Sequence, residues 1–164
     1  MKHLYLIGGP MGVGKTAVCQ ALKMHLSRSV FLDGDWCWDM HPFSVTKETK
    51  AMVTENIVHL LSNFLHCSEL DHVIFGWVMH EQGIIDSILS RLPLDGCQVH
   101  AISLVCSEAA LRSRLEKDIA AGLRANDVIE RSLARLPMYE RLNTVSIDTS
   151  LMSVEEIAKV ITQI

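Results

Sequence analysis

The sequence predicts an α/β domain built on a mainly parallel sheet of five strands. Short apolar runs alternate with longer segments in which apolar residues recur at helical spacing, which is typical of this fold class. Each short run is apolar at consecutive positions, as strands covered on both faces require. The predicted strands are Leu4–Gly8, Val30–Asp33, His72–Trp77, Val99–Cys106 and Thr144–Asp148.

The longer segments predict helices that each bury one apolar face. Pro137 lies inside one of these segments and should kink or split it. The last helix should begin at Ser153, because the serine hydroxyl can cap the backbone and Glu156 completes a capping box. The predicted helices are Gly14–Ser27, Thr46–His66, Gln82–Leu92, Ser107–Ala121, Asp127–Leu142 and the segment that follows Ser153.

Length and composition favour one globular domain over residues 1–164. The chain has 49% apolar and 21% charged residues, which excludes disorder as its main state. A net charge of -4 without a basic run argues against binding to long nucleic acids. Five cysteines without a C-x-x-C pair are typical of reduced thiols, and no apolar stretch approaches the ~18 residues of a membrane span. We therefore expect a cytoplasmic protein, monomeric or homodimeric, without a membrane partner.

A phosphate-binding motif follows the first predicted strand. Residues 9–16 match G-x-x-x-x-G-K-[ST], in which successive backbone N–H groups and a helix N-terminus wrap a polyphosphate. Lys15 would bridge the β and γ phosphates, and Thr16 would bind the magnesium ion. A glycine-rich turn with a chance lysine is the alternative, but it would not require a strand before the motif and a helix after it. The predicted nucleotide-binding residues are Gly9, Pro10, Met11, Gly12, Val13, Gly14, Lys15, Thr16 and Ala17.

Two carboxylates close the second predicted strand. Asp33 and Asp35 are two residues apart and therefore lie on the same side of an extended chain. One of them could hold the magnesium ion through its waters, while the other accepts a proton from an attacking hydroxyl. The alternative is an Asx-type turn that ends the strand.

An aromatic cluster follows these carboxylates. Trp36, Trp38 and Phe43 fall within eight residues, so they line a substrate pocket or pack a loop against the core. Trp77 falls at the functional edge of the sheet by its position after the third strand. The sequence leaves open whether the remaining polar residues of these loops, His41, His80 and Glu81, face an acceptor.

Basic residues concentrate between residues 112 and 141. Arg124 follows Gly122 in a polar stretch, which predicts a mobile lid over about residues 117–131 whose arginine stabilises a transferring phosphoryl group. The alternative for any single arginine is a solvated helix face with i,i+4 pairs, such as Arg114 with Asp118.

These motifs together resemble the P-loop small-molecule kinases, the group that contains shikimate kinase, gluconate kinase, adenylylsulfate kinase and chloramphenicol phosphotransferase. The phosphate-binding motif is the specific part of the resemblance. Leu32-Asp33-Gly34-Asp35 is similar to the acceptor loop of adenylylsulfate and gluconate kinases. It also resembles the D-x-D of shikimate kinase, which implies that Asp33 lies on the magnesium side and that Asp35 contacts the substrate hydroxyl. The resemblance implies a three-layer P-loop NTPase fold, with helices on both faces of a parallel sheet in the order 2-3-1-4-5.

The resemblance also implies roles for three arginines. Arg114 matches the arginine that stacks on adenine, and Arg124 matches the lid arginine. Arg135 begins a segment similar to R-x-P-x-Y, whose arginine contacts the anionic group of the substrate. The third strand of shikimate kinase ends in a glycine triplet, whereas this chain has Gly76-Trp77-Val78, which puts shikimate itself in doubt.

The sequence therefore predicts an enzyme that uses ATP and Mg²⁺ to phosphorylate a hydroxyl of a small polar metabolite or antibiotic-like acceptor. Lys15, Asp35 and Arg124 would be its catalytic residues, and Asp33, Trp36, Trp77 and Arg135 would join Asp35 in binding the acceptor. The alternative is a P-loop ATPase or nucleotide-gated switch that acts on a protein partner. The identity of the acceptor and the base preference are not encoded in these motifs.

Overall fold

The sheet of this protein consists of five parallel strands, and their spatial order is second, third, first, fourth and fifth along the chain, as the resemblance implies. A computed structural model describes residues 1–164. Its strands are β1 (Lys2–Gly8), β2 (Ser29–Asp33), β3 (His72–Gly76), β4 (Cys97–Val105) and β5 (Val145–Asp148). The register places Asp33 opposite Gly76 and Gly76 opposite Ile7, so the carboxyl ends of β2, β3 and β1 open at one edge.

Six helices cover the two faces of the sheet, and two short 3-10 turns complete the fold. The helices are α1 (Lys15–His25), α2 (Lys47–His66), α3 (Gln82–Leu89), α4 (Glu108–Ala120), α5 (Val128–Arg135) and α6 (Val154–Ile161), and the turns span Gly34–Trp38 and Leu136–Arg141. None of the helices is long and apolar enough to cross a membrane.

Strand β1 separates two hydrophobic cores. Tyr5 and Ile7 pack into the core formed with α1, α4 and α6, whereas Leu4 and Leu6 pack into the core formed with α2 and α3. Because successive side chains of a strand point to opposite faces, a central strand of this kind must be apolar at every position. The two cores therefore lie on opposite sides of one sheet.

Two predicted helical segments and one predicted strand end at residues other than those expected. The segment predicted as Asp127–Leu142 is α5 followed by a 3-10 turn, with Pro137 in its first turn, so the predicted split is confirmed. Helix α3 ends at Leu89 rather than Leu92, which agrees with the bias of a residue preceding proline, here Leu92 before Pro93, against helical geometry. The third strand likewise ends at Gly76 rather than Trp77.

The start of α6 follows the predicted capping box. The Ser153 N–H donates to Glu156 Oε2 at 2.7 Å, and the Glu156 N–H donates to Ser153 Oγ at 3.2 Å. A second box, between Thr46 and Thr49 at the start of α2, was not predicted because Thr replaces the usual Glu or Gln. Both boxes satisfy N–H groups that have no partner within the helix.

Three histidines and a tyrosine stack near the amino ends of the central strands. His3 lies between His72 of β3 and His100 of β4, with ring centroids 5.2 and 5.4 Å apart. His3 Nδ1 and His100 Nε2 are 3.1 Å apart, so one nitrogen donates and the other accepts. Burial lowers the pKa of both rings, and the charges that protonated neighbouring histidines would carry lower them further; Asp71 opposes the shift at His3.

We predict that this histidine pair makes the fold less stable in mild acid. The folded-state pKa values of His3 and His100 lie below the ordinary 6.5, so the unfolded chain binds more protons as the pH falls through 6.5. The free energy of unfolding, measured with urea, should therefore decrease between about pH 7.5 and about pH 5.5. His3→Gln should decrease less, because glutamine can keep a hydrogen bond to His100 but does not titrate.

The matched control is His41→Gln at an exposed loop histidine, which should retain the pH dependence of the unaltered protein. An equal acid-induced loss in His3→Gln and the unaltered protein would contradict the prediction.

Candidate active site

The phosphate-binding motif forms the turn between β1 and α1. Gly12 and Gly14 have φ angles of 85° and 101°, in the left-handed region that favours glycine. A Cβ atom on Gly12 would lie 2.7 Å from Leu115 Cγ, so the turn packs directly against α4. Gly14 precedes the first helical residue, and no side chain caps the first N–H groups of α1. These unpartnered N–H groups are the feature that binds phosphate at a helix N-terminus.

Lys15 lies folded over the same turn. Its ammonium donates hydrogen bonds to the carbonyl oxygens of Gly9 at 2.7 Å and Pro10 at 2.9 Å. Desolvation lowers the pKa of Lys15 to about 8, and the negative charge of Asp35 opposes this shift. A bound polyphosphate would provide the negative charge that such a desolvated ammonium lacks.

Thr16 and Asp33 meet at the base of this turn. Thr16 Oγ1 donates to Asp33 Oδ2 at 2.9 Å, while Asp33 Oδ1 accepts the Asp35 N–H at 3.0 Å. The Asx-type turn considered for this segment is therefore present, and it leaves the other carboxylate oxygen facing the threonine. A hydroxyl and a carboxylate oxygen are ligands suited to Mg²⁺. No group of three or more His, Cys, Asp or Glu side chains forms an all-protein metal site, so the remaining ligands would have to be phosphate and water.

The arginines of α4 and the following segment make contacts other than the i,i+4 pair considered from the sequence. Arg114 donates to the Val13 carbonyl at 3.2 Å, to Thr149 Oγ1 at 3.1 Å and to the Thr149 carbonyl at 2.9 Å. Asp118 pairs instead with Arg124, whose Nε lies 2.8 Å from Asp118 Oδ2. The Arg114–Asp118 alternative is therefore wrong, and Arg114 ties the phosphate-binding turn to the loop after β5.

A cavity of about 340 Å³ lies over the phosphate-binding turn, and we call it the nucleotide cavity. It brings together most of the predicted nucleotide-binding and catalytic residues; Gly9, Pro10 and Val13 are not among its lining residues. Lys117 also lines it and was not singled out from the sequence, although it belongs to the predicted lid. The predicted residues that line it are Met11, Gly12, Gly14, Lys15, Thr16, Ala17, Asp33, Asp35, Arg114 and Arg124.

A second cavity, of about 1010 Å³, adjoins the first, and we call it the acceptor cavity. Four residues line both cavities: Met11, Asp33, Asp35 and Val78. The acceptor cavity also contains the predicted residues Trp36, Trp77 and Arg135, together with His80 and Glu81, whose orientation the sequence left open, whereas His41 does not line it.

Asp35 therefore lies in the wall between the two cavities. Desolvation raises the pKa of its carboxyl, the neighbouring Asp33 carboxylate raises it further, and Lys15 and the Trp77 side chain oppose this change. Trp77 also packs close to Gly34, where an added Cβ would lie 2.5 Å from Trp77 Cγ. The glycine between the two aspartates is thus required by the close approach of the indole ring.

Part of the acceptor cavity has no sequence motif. Lys50 and Thr54 on α2 and Ser87 and Ile88 on α3 form wall residues that sequence reasoning missed. Arg131 was named only as one of a basic cluster, and it lines the cavity one helical turn before Arg135. The i,i+4 spacing of these two arginines is the signal that could have identified Arg131.

The Val78 carbonyl joins both cavities to the segment after α5. It accepts a hydrogen bond from the Tyr139 hydroxyl at 2.6 Å and from the Gly9 N–H at 3.3 Å. The next residue, Met79, is buried and has a φ angle of 38°, which is unusual for a residue with a side chain. Two donors therefore hold the loop after β3 against its backbone strain.

We predict that Gly12→Ala is destabilising and that Gly83→Ala is not. Alanine at residue 12 meets Leu115 and takes a left-handed backbone, which should cost about 1–3 kcal/mol of unfolding free energy. Gly83 lies in α3 with nothing within 4 Å of an added Cβ, so alanine should stabilise by about 0.5–1 kcal/mol. Urea unfolding of both variants measures the contrast, and equal stabilities would refute the proposed packing of the turn.

We further predict that Tyr139→Phe costs about 0.5–1.5 kcal/mol of stability, the contribution of one hydrogen bond. Tyr5→Phe is the matched control, because Tyr5 is also buried but its hydroxyl takes part in no side-chain hydrogen bond. Thermal or urea unfolding compares the two variants. A loss at Tyr5 as large as that at Tyr139 would show that the Val78 contact adds nothing.

The comparisons with known proteins agree with this architecture. The structure of the tunicamycin resistance protein of Deinococcus radiodurans superposes with a TM-score of 0.75 at 20% identity, covering 99% of this chain and 95% of that chain. A gluconokinase from Sinorhizobium meliloti 1021 gives a TM-score of 0.69 at 18% identity, covering 96% and 87%. Shikimate kinase from Acinetobacter baumannii gives 0.61 at 20% identity, covering 99% and 92%. These similarities confirm the P-loop NTPase fold that the resemblance implies.

Comparison of sequences identifies one matching family. We found no significant match among curated proteins. Residues 6–131, which contain the phosphate-binding motif, the Asp33–Asp35 loop and the Arg124 segment, match a family described as AAA domain. The match spans more than half of the chain, and on this evidence the protein belongs to the AAA domain family, as a nucleotide-binding P-loop protein.

Proposed function

We propose that this protein is a phosphotransferase that moves the γ-phosphoryl group of ATP to a hydroxyl of a small acceptor. The observation that carries the proposal is the position of Asp35 in the wall shared by the nucleotide and acceptor cavities. A carboxylate at this position can contact an acceptor hydroxyl on one side while the phosphates lie on the other. Positioning of this kind provides much of the catalysis in phosphoryl transfer.

The nucleotide cavity supplies the groups that bind the phosphates and the metal. The N–H groups of the turn and the Lys15 ammonium would hold the phosphate oxygens, and Arg114 would stack on the adenine ring. Thr16 and Asp33 would hold Mg²⁺, since their oxygens already lie 2.9 Å apart. Magnesium bound there would offset the negative charge of the phosphates.

The acceptor hydroxyl would be activated by Asp35. The carboxylate would accept the hydroxyl proton as the hydroxyl oxygen attacks the γ-phosphorus and the bond from that phosphorus to the departing ADP breaks. Its raised pKa makes it a better proton acceptor than an ordinary aspartate. Lys15 and Arg124 would stabilise the charge on the transferring group, and the segment 117–131 would act as the lid that excludes water. Arg135 would bind an anionic group of the acceptor.

The structural neighbours support a kinase in coarse terms. They include proteins described as a gluconokinase, a sugar kinase and a shikimate kinase, and each covers nearly the whole chain. A nucleotide-gated switch or ATP hydrolase is less well supported, because β3 ends in Gly76 without a carboxylate. Hydrolysis of ATP also requires only water as the second substrate, and water does not need a cavity of about 1010 Å³. A small polar metabolite or an antibiotic-like molecule remains the proposed acceptor class.

We predict that Asp35→Asn separates acceptor turnover from nucleotide binding. Acceptor-dependent ADP release, assayed with sugar acids, nucleosides and aminocyclitols, should fall by roughly 100-fold or more, because asparagine cannot accept the proton. ATP affinity measured by calorimetry should change little, whereas Lys15→Ala should weaken it strongly. Activity of the unaltered protein should decrease as the pH falls through the raised pKa of Asp35, because protonation removes the base.

Asp95→Asn, at an exposed aspartate outside both cavities, is the matched control and should retain activity. ADP release that is independent of every acceptor, or full activity in Asp35→Asn, would contradict the phosphotransferase proposal.

A further inference from the structure

All three tryptophans of the chain line the acceptor cavity. Trp36 and Trp38 come from the 3-10 turn after β2, and Trp77 follows β3. Phe43 joins them, with its ring centroid 5.9 Å from that of Trp38 and an interplanar angle of 43°. We call Trp36, Trp38 and Phe43 the aromatic shelf. A concentration of this kind at one cavity is unexpected in a chain with only 5% aromatic residues.

Much of the side-chain surface of the aromatic shelf remains accessible to solvent. Trp36 is 55% exposed and Phe43 is 68% exposed, although large apolar side chains are usually buried. Val45, which is 54% exposed, continues the apolar surface along the same wall. Contiguous exposed apolar surface bordered by polar residues is typical of a ligand site. The packing role considered for these aromatics therefore accounts for only part of their surface.

The size of the cavity exceeds what a small sugar acid fills. About 1010 Å³ lies at the upper end of the ~300–1,000 Å³ that is usual for small-molecule sites. A hydroxyl held at Asp35 would occupy only the end of the cavity next to the phosphates. A compact hydrophilic acceptor would therefore leave the shelf exposed to water.

Two arginines of α5 line the same cavity, together with the acidic residues Asp39 and Glu81. The Arg135 side chain forms no hydrogen bond or ion pair within the protein, while Arg131 pairs only with exposed Asp127 at 3.5 Å. Guanidinium groups also stack on planar rings, so they can complete a site whose other face is aromatic.

We propose that the acceptor is a hydroxylated sugar or polyol joined to a planar aromatic ring, as in a nucleoside or an aromatic glycoside. The hydroxylated part lies at Asp35, and the ring lies on the aromatic shelf. The inference rests on the proposed function for the position of the hydroxyl, whereas the ring site is argued from the shelf, the size of the cavity and the two arginines.

Binding to this site can be measured without turnover, because tryptophan fluorescence arises only from residues of the acceptor cavity. Titrations with two matched pairs test the proposal: methyl β-D-ribofuranoside against uridine, and methyl β-D-glucoside against 4-pyridyl β-D-glucoside. In the presence of Mg²⁺ and ADP, the ring-bearing member of at least one pair should bind roughly ten-fold tighter or more, as expected for stacking on aromatic side chains.

Variants of the shelf distinguish stacking from general affinity. Phe43→Ala and Trp36→Ala should each reduce the advantage of the ring-bearing compound, and the double variant should bring it to about three-fold or less. Leu151→Ala, at a residue that is 98% exposed and outside the cavity, is the control and should leave the advantage intact. An advantage that survives in the double variant, or ring-bearing and ring-free compounds that bind equally in both pairs, would overturn the inference.

Failure of the inference is distinguishable from failure of the proposed function. If a ring-free sugar acid or aminocyclitol supports Asp35-dependent ADP release as well as any ring-bearing acceptor, the phosphotransferase proposal stands and the ring site is refuted. If ring-bearing compounds bind to the shelf but none releases ADP, the ring site stands and the phosphotransferase proposal fails.

Discussion

Parallel pairing of β1 with β3 and β4 is the constraint on which the candidate site depends. This pairing brings the carboxyl end of β1 next to the carboxyl end of β3, and β3 in turn aligns Asp33 of β2 with Gly76. The phosphate-binding turn, the two aspartates and the loop with Trp77 therefore emerge at a single edge of the sheet. The register of the strands therefore makes neighbours of residues that are far apart in the sequence.

Electrostatic groups at this edge are arranged as opposing neighbours. Desolvation at the phosphate-binding turn lowers the pKa of Lys15, and the negative charge of the nearby Asp35 carboxylate opposes this shift. Asp35 in turn is destabilised as an anion by burial and by Asp33. An anionic ligand beside Lys15 would stabilise its charged form, and a proton donor beside Asp35 would stabilise the carboxylate. The arrangement matches the needs of phosphoryl transfer to a hydroxyl.

Patterns with a fixed local meaning were readable from the sequence. The apolar strands, the phosphate-binding motif and the Ser153 capping box depend on neighbouring residues, and the structure contains each of them. The pairing of Asp118 with Arg124 instead of Arg114 depends on where the chain turns after α4, which helical spacing does not encode. The cavity-lining residues of α2 and α3 were likewise not predictable from the sequence, because only the packing of whole helices brings them to the acceptor cavity.

The separation of the interior into two cores has an evolutionary consequence. The helices behind the phosphate-binding turn, α1, α4 and α6, pack on one face of the sheet, whereas α2 and α3, which form the distal wall of the acceptor cavity, pack on the other. Substitutions that reshape α2 or α3 are therefore absorbed by a core that the turn does not share. Such a scaffold can change the shape of its larger cavity over generations while the phosphate-binding turn is inherited unchanged.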